Sequence, residues 1–102
     1  MYDAATVREN RVKAVNALLT TKEKQGFGTL YSPRQGCYCA LGIMADAVGI
    51  VPDDTAYCYG EIDEAFGFDE NGAESVWRMN DRQELTFPAI AHRLASMWDI
   101  AL

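Results

Sequence analysis

Cys39-Ala-Leu-Gly-Ile-Met-Ala-Asp-Ala-Val48 carries one charged side chain, Asp46, and its apolar residues run almost all the way round a helical wheel. A surface helix hides one stripe, whereas a helix that is apolar on nearly every side belongs at the centre of a domain. At about 100° per residue, Cys39, Gly42 and Asp46 fall in one narrow line, the only small or polar stripe on this cylinder. Something must approach closely there, either another backbone or a ligand. Gly49 is placed to end the helix in the left-handed conformation, and Pro52 prevents its resumption after Ile50 and Val51.

Working outward toward the N-terminus, a helix is expected from about Asp3 to Thr20, with Asp3 as its cap and Val7, Ala14, Val15, Leu18 and Leu19 on one face. Arg8 and Arg11 border that face, where their stems can cover the core edge. A polar break from Thr21 to Gln25 follows. Phe27 to Tyr31 then reads as a strand, Ser32-Pro33-Arg34-Gln35-Gly36 as a turn, and Cys37-Tyr38 as the short return strand of a hairpin. Toward the C-terminus, Asp53 to Tyr59 reads as irregular or extended, with a short helix near Glu61 to Phe66 stopped by Gly67. Asp69-Glu70-Asn71-Gly72 reads as a turn, and Ser75 to Met79 as a short strand or one helical turn. The last helix follows Thr86, with Pro88 in its first turn and Phe87, Ile90, Ala91, Leu94, Met97 and Trp98 on one face. The expected fold is a single α+β domain over residues 1–102. It is mainly helical, with the central apolar helix, a short β-hairpin and amphipathic N- and C-terminal helices.

Composition narrows the classes of function. With 102 residues, 49% hydrophobic and 24% charged, the chain can bury a core without metals or disulfides. It has no run of roughly eighteen apolar residues, and Met1-Tyr2-Asp3 lacks the blocks of a signal peptide, so a cytoplasmic, non-membrane protein is expected. In that compartment Cys37, Cys39 and Cys58 are expected as free thiols. The net charge of −6 argues against nucleic acid, which needs a basic stripe facing its phosphates. Between Arg34 and Arg78 there is no Lys or Arg, while Asp46, Asp53, Asp54, Glu61, Asp63, Glu64, Asp69, Glu70 and Glu74 all fall there. Such a segment is either a solvated face or a docking surface for a basic partner.

Few residues offer chemistry. Cys39 stands at a helix start, where N–H groups can lower a thiol pKa, and Gln35-Gly36-Cys37 is similar to the glutamine-before-cysteine arrangement of cysteine hydrolases. If the chain is an enzyme, Cys39 is its nucleophile. The sole histidine, His92, falls with Ser96 and Asp99 outside the apolar face of the last helix, poorly placed as a base. A zinc set of Cys37, Cys39, Cys58 and His92 fails on spacing and direction. A calcium loop from Asp69 fails because Asn80 occupies its twelfth position. No phosphate-binding glycine loop or serine elbow is present, and no cofactor is expected. Asn80-Asp81 either shapes the turn feeding the last helix or faces a polar pocket. In the second case Asp81 approaches the Cys39, Gly42 and Asp46 stripe, and Tyr38, Tyr57, Tyr59 and Trp77 wall a small-ligand cavity.

The segments Gly36-Cys-Tyr-Cys39-Ala-Leu-Gly42-Ile, Met79-Asn80-Asp81 and Thr86-Phe87-Pro-Ala-Ile90-Ala91 resemble those of a family of small uncharacterised actinobacterial and phage proteins. That family has a Cys-x-Leu-Gly-like helix start, a late Asn-Asp and a closing Phe-x-x-Ile-Ala helix. The resemblance covers most of the chain from Gly26 onward and singles out Cys39, Gly42, Asn80 and Asp81. Two positions depart from the family pattern: His92, and Arg82 to Leu85, which lack the glycine usual after Asn-Asp. The resemblance implies a phage or mobile-element setting and no reaction. In that setting the expectation is an accessory binding protein, acting as an inhibitor that occupies a host protein, a defence component for example, through its acidic surface and aromatics. The residues carrying it are Asp46, Asp63, Glu64, Asp69, Glu70, Tyr57, Tyr59, Trp77, Asn80 and Asp81. A homo-oligomer that binds a nucleotide signal, using Arg8, Arg11, Arg78 and Arg82, and a cysteine-dependent hydrolase are the alternatives.

Overall fold

In a computed structural model the chain is described over residues 2–53, 56–69 and 71–102; the side chains of Ala56 and Tyr57 lie outside this description. The described residues form helices α1 (Ala4–Thr20), α2 (Ala40–Ala47), α3 (Ala56–Phe66), α4 (Gly72–Asp81) and α5 (Phe87–Met97). Strands β1 (Lys24–Gln25), β2 (Tyr31–Ser32) and β3 (Cys37–Tyr38) complete the expected mainly helical α+β fold. None of the helices is long and apolar enough to cross a membrane, among the described residues.

The central helix behaves as its sequence predicts. Residues Ala40 to Ala45 are all buried, and α1 packs against both α2 and α5. Burying whole side chains such as Leu41 and Met44 contributes about 1.5–3 kcal/mol each, which dominates the local energetics. The helix closes in a Schellman motif: Gly49 takes φ +83° and Ile50 N–H donates to the Ala45 carbonyl at 2.9 Å. At the other ends, Asp3 caps α1 by accepting from Thr6 N–H at 2.8 Å, and Thr86 caps α5. Phe87, Ile90, Ala91 and Leu94 are buried as expected, whereas Met97 is 59% exposed.

Four local expectations are corrected. The strand expected over Phe27–Tyr31 survives only as Tyr31–Ser32, because Gly28 at φ +86° turns the chain and Phe27 is exposed. The sheet gains a strand from the supposed polar break: β1 pairs in parallel with β3, Gln25 opposite Tyr38, giving the order β1-β3-β2. Its two-residue strands carry no readable alternation. Tyr57, Cys58 and Tyr59 are helical rather than extended, since α3 begins at Ala56 and packs Cys58, Ile62, Ala65 and Phe66 into the core. Ser75 to Met79 lies inside α4, three helical turns that bury Val76, Met79 and Asn80.

The first helix also holds the end of α3. Asn10 donates to the Ala65 carbonyl at 3.0 Å, and Arg11 donates through Nε to the Phe66 carbonyl at 2.8 Å. The last carbonyls of a helix have no intrahelical partner, so these side chains replace water there. Arg11 also lies over the Trp98 ring at 5.0 Å, which joins α1, α3 and the end of α5.

Candidate functional site

The stripe Cys39, Gly42 and Asp46 resolves into three different environments. Cys39 is the N-cap residue of α2 and is 2% exposed, so a substrate cannot reach its thiol without local opening. His92 is exposed on α5. Gly42 is filled by protein: a Cβ there would fall inside contact distance of the Leu30 carbonyl oxygen and 3.3 Å from Tyr38 Cδ2. Asp46 is exposed at the surface. The close approach read from the stripe is therefore backbone packing at Gly42 and not a ligand cavity. Among the described residues no three His, Cys, Asp or Glu side chains cluster as a metal site.

Asn80 and Asp81 are not in a turn feeding the last helix; they form the last turn of α4. Asn80 is 0% exposed, and its amide makes four hydrogen bonds. Its Oδ1 accepts from Ala40 N–H at 3.0 Å and from Gln25 Nε2 at 2.8 Å. Its Nδ2 donates to the Gly26 carbonyl at 2.9 Å and to Asp81 Oδ1 at 2.7 Å. An amide side chain offers two acceptor and two donor positions, and all four are used. Asp81 Oδ2 accepts from Gly28 N–H at 3.0 Å, so the Asn-Asp pair binds the loop Gly26–Gly28 to the N-terminus of α2. The Cys39 side chain makes no capping bond there, and Asn80 supplies one from another helix. The pocket expected at this place is occupied by the protein's own groups. Gln25 is the partner that the sequence did not reveal: it also donates to the Leu85 carbonyl at 2.7 Å, and only the β1 pairing brings it there.

The aromatic residues do not form one wall. Trp77 is half-buried with Arg82 5.5 Å above its ring, Tyr59 packs against the core, and the side chain of Tyr57 is outside the described residues. Tyr38 instead pairs across the strands with Tyr31, ring centroids 4.5 Å apart. Beside this pair lies a groove of about 280 Å³ that includes Asp46, Ile50, Val51 and Pro52. Val51 is 82% exposed. Burial pushes the Tyr38 phenol above its ordinary value of 10.0, and the Asp46 carboxylate pushes it further.

The acidic residues of the middle segment likewise separate. Glu64 and Asp69 are exposed, and Asp69 Oδ1 accepts from Asn71 N–H at 2.9 Å within a turn. Glu70 and Asp54 lie outside the described residues. Asp63 is half-buried, and its Oδ1 is shielded from solvent with no hydrogen-bond partner among the described residues. Desolvation, with the charge of Asp69 adding to it, raises its carboxyl above the ordinary 3.8. A raised folded-state value means the folded chain holds its proton more tightly than the unfolded chain. The resulting stability is complete below about pH 3.8 and is lost as pH rises through the folded value. Asp63→Asn is accordingly expected to stabilise the fold at pH 7 and to raise Tm, with the gain shrinking to nothing at low pH. Thermal unfolding of both chains across pH checks this; a gain that persists at pH 3 would assign the effect to something other than the charge.

Comparison of the chain with protein-family models, with curated proteins and with solved structures found no match.

Proposed function

We propose that this chain is a non-catalytic binding protein that docks a basic segment of another protein on the face formed by the hairpin and the end of α2. The observation that carries this reading is the groove in which a tyrosine pair, a carboxylate and an 82% exposed valine stand together. A lysine or arginine side chain fits that combination: its charge meets Asp46, its stem covers Val51 and its head lies against a tyrosine face. Asp46 lines the same groove as Tyr31 and Tyr38, so charge and stacking act on one occupant. Exposed Glu64 and Asp69 lie outside the groove and add to the overall negative charge that steers a basic partner. In the phage or mobile-element setting implied by the family resemblance, such a protein acts by occupying a host protein, a defence component for example, and needs no reaction of its own.

Asp46→Lys and Val51→Asp test the reading, because both positions are exposed and neither substitution disturbs the core. Host proteins retained on immobilised parent chain are expected to be lost from both variants, with affinity falling tenfold or more, and to elute as salt rises. A retained set that ignores both substitutions and salt rejects this face as the docking surface. Glu64→Lys with Asp69→Lys is expected to slow association while leaving dissociation nearly unchanged.

A further inference from the structure

The groove between α4 and α5 is lined by basic and neutral side chains in an acidic chain. It has a volume of about 490 Å³, and Arg78, Met79, Gln83, Arg93, Ser96 and Met97 line it together with Ser75. No carboxylate is among these residues, although Asp and Glu outnumber Lys and Arg by 15 to 9 in the chain. Each arginine has one side-chain partner and further N–H donors beyond it. Arg78 Nη2 donates to Glu74 at 2.8 Å, which leaves the rest of its guanidinium fork, and Arg93 reaches Gln83 Oε1 only at 3.4 Å. Gln83 Nε2 and the Ser96 hydroxyl bond to no other described residue, while the Ser75 hydroxyl is taken up by the Asn71 carbonyl at 3.0 Å. The Arg78 carbonyl would repel an anion at this end of α4. It already accepts from Arg82 and Gln83 N–H, each at 2.9 Å. The lining also holds two thioethers, Met79 buried and Met97 59% exposed, polarizable groups suited to a flat ring.

We propose that this groove binds a phosphate monoester that carries a flat ring. The phosphate sits between Arg78 and Arg93, with Ser96 and Gln83 satisfying its remaining oxygens, and the ring lies on Met79 and Met97. Two guanidinium forks and two neutral donors match three terminal oxygens better than the two of a carboxylate. The volume is that of a small-molecule site. This groove shares no lining residue with the Tyr31, Tyr38 and Asp46 groove, so either can fail alone.

The test titrates the full ¹⁵N-labelled chain with adenosine 5′-monophosphate, inorganic phosphate and adenosine. The nucleotide is expected to produce saturable shifts confined to the amides of residues 75–83 and 93–97. Inorganic phosphate should move the same amides at an affinity about tenfold lower, and adenosine should move none. Arg78→Met with Arg93→Met should weaken the nucleotide by tenfold or more at unchanged helical circular dichroism, while Asp46→Lys leaves it unaffected. The absence of saturable shifts overturns the proposal, as does adenosine binding as well as its monophosphate or a double variant that binds normally. Inorganic phosphate as tight as the nucleotide overturns the monoester assignment by removing any role for the methionines.

Discussion

Asn80→Ala is expected to lower Tm by on the order of 15 °C or more. Truncation removes four hydrogen bonds at once, but they do not weigh equally. Gln25 keeps the Leu85 carbonyl and Asp81 keeps Gly28 N–H, so those partners remain paired. Ala40 N–H and the Gly26 carbonyl belong to buried residues and lose the Asn80 contacts, at a cost of about 1–3 kcal/mol each. With the cavity left by the amide, the total reaches roughly 3–5 kcal/mol, a large part of the stability of a domain this size. Asn80→Asp separates the polar network from the packing. It keeps the acceptor for Ala40 but turns a buried donor into a carboxylate oxygen facing the Gly26 carbonyl and Asp81. Its carboxyl is therefore raised in the folded state, and the variant should recover stability as pH falls and the proton restores a donor. Urea unfolding of both variants between pH 4 and pH 8 checks these outcomes. An Asn80→Ala chain within about 1 kcal/mol of the parent would show that the network is dispensable.

Gly42→Ala is the second large effect, and its sign is the point of interest. Helix propensity alone favours alanine by about 1 kcal/mol inside a helix, so a reading of α2 by itself predicts stabilisation. The tertiary contact reverses this. The added Cβ would collide with the Leu30 carbonyl oxygen and stand 2.9 Å from Leu30 carbon. That obstacle is backbone and cannot rotate aside. The same carbonyl accepts Cys39 N–H at 3.0 Å, so displacing it also loosens the entry to α2. A net loss of about 3 kcal/mol or more is expected, at the upper end of overpacking costs. Urea unfolding with a normal m-value and a lower midpoint is the expected observation; a midpoint equal to or above that of the parent would mean that α2 and the Leu30 segment separate easily.

The residue types of the site were visible before its geometry. Cys39, Gly42, Asn80 and Asp81 were singled out together, and the structure brings Asn80 to the start of α2 as a bonded neighbour of Ala40. Their role is different from the one a pocket would give them, because Asn80 fills the space itself. Gln25 could not be chosen from the sequence, since two-residue strands leave no periodic signal and its partners lie 55 and 60 residues away. Tyr57 to Tyr59 are helical where an extended segment is expected, and of the two readings of Ser75 to Met79 the helical one holds and extends over all of α4, for a related reason. Tyrosine, cysteine, valine and tryptophan favour strands weakly, and that local preference yields when a helix buries Cys58 and Val76 against the core.

The opening stretch, Cys39 to Val48, determined its own fate: continuous apolarity requires burial, Gly49 requires the stop, and both follow from residue chemistry within one segment. The same local reasoning settles the cap at Asp3 and the turn that ends at Gly36. What occupies the small stripe of that helix was left to the tertiary structure. Whether Gly42 meets a backbone or a ligand, whether Asp46 faces water, and which side chain satisfies the Ala40 N–H all depend on elements distant in the chain. Loop and helix-end atoms bind wherever folding delivers a donor or acceptor, and no spacing within one helix encodes which one arrives.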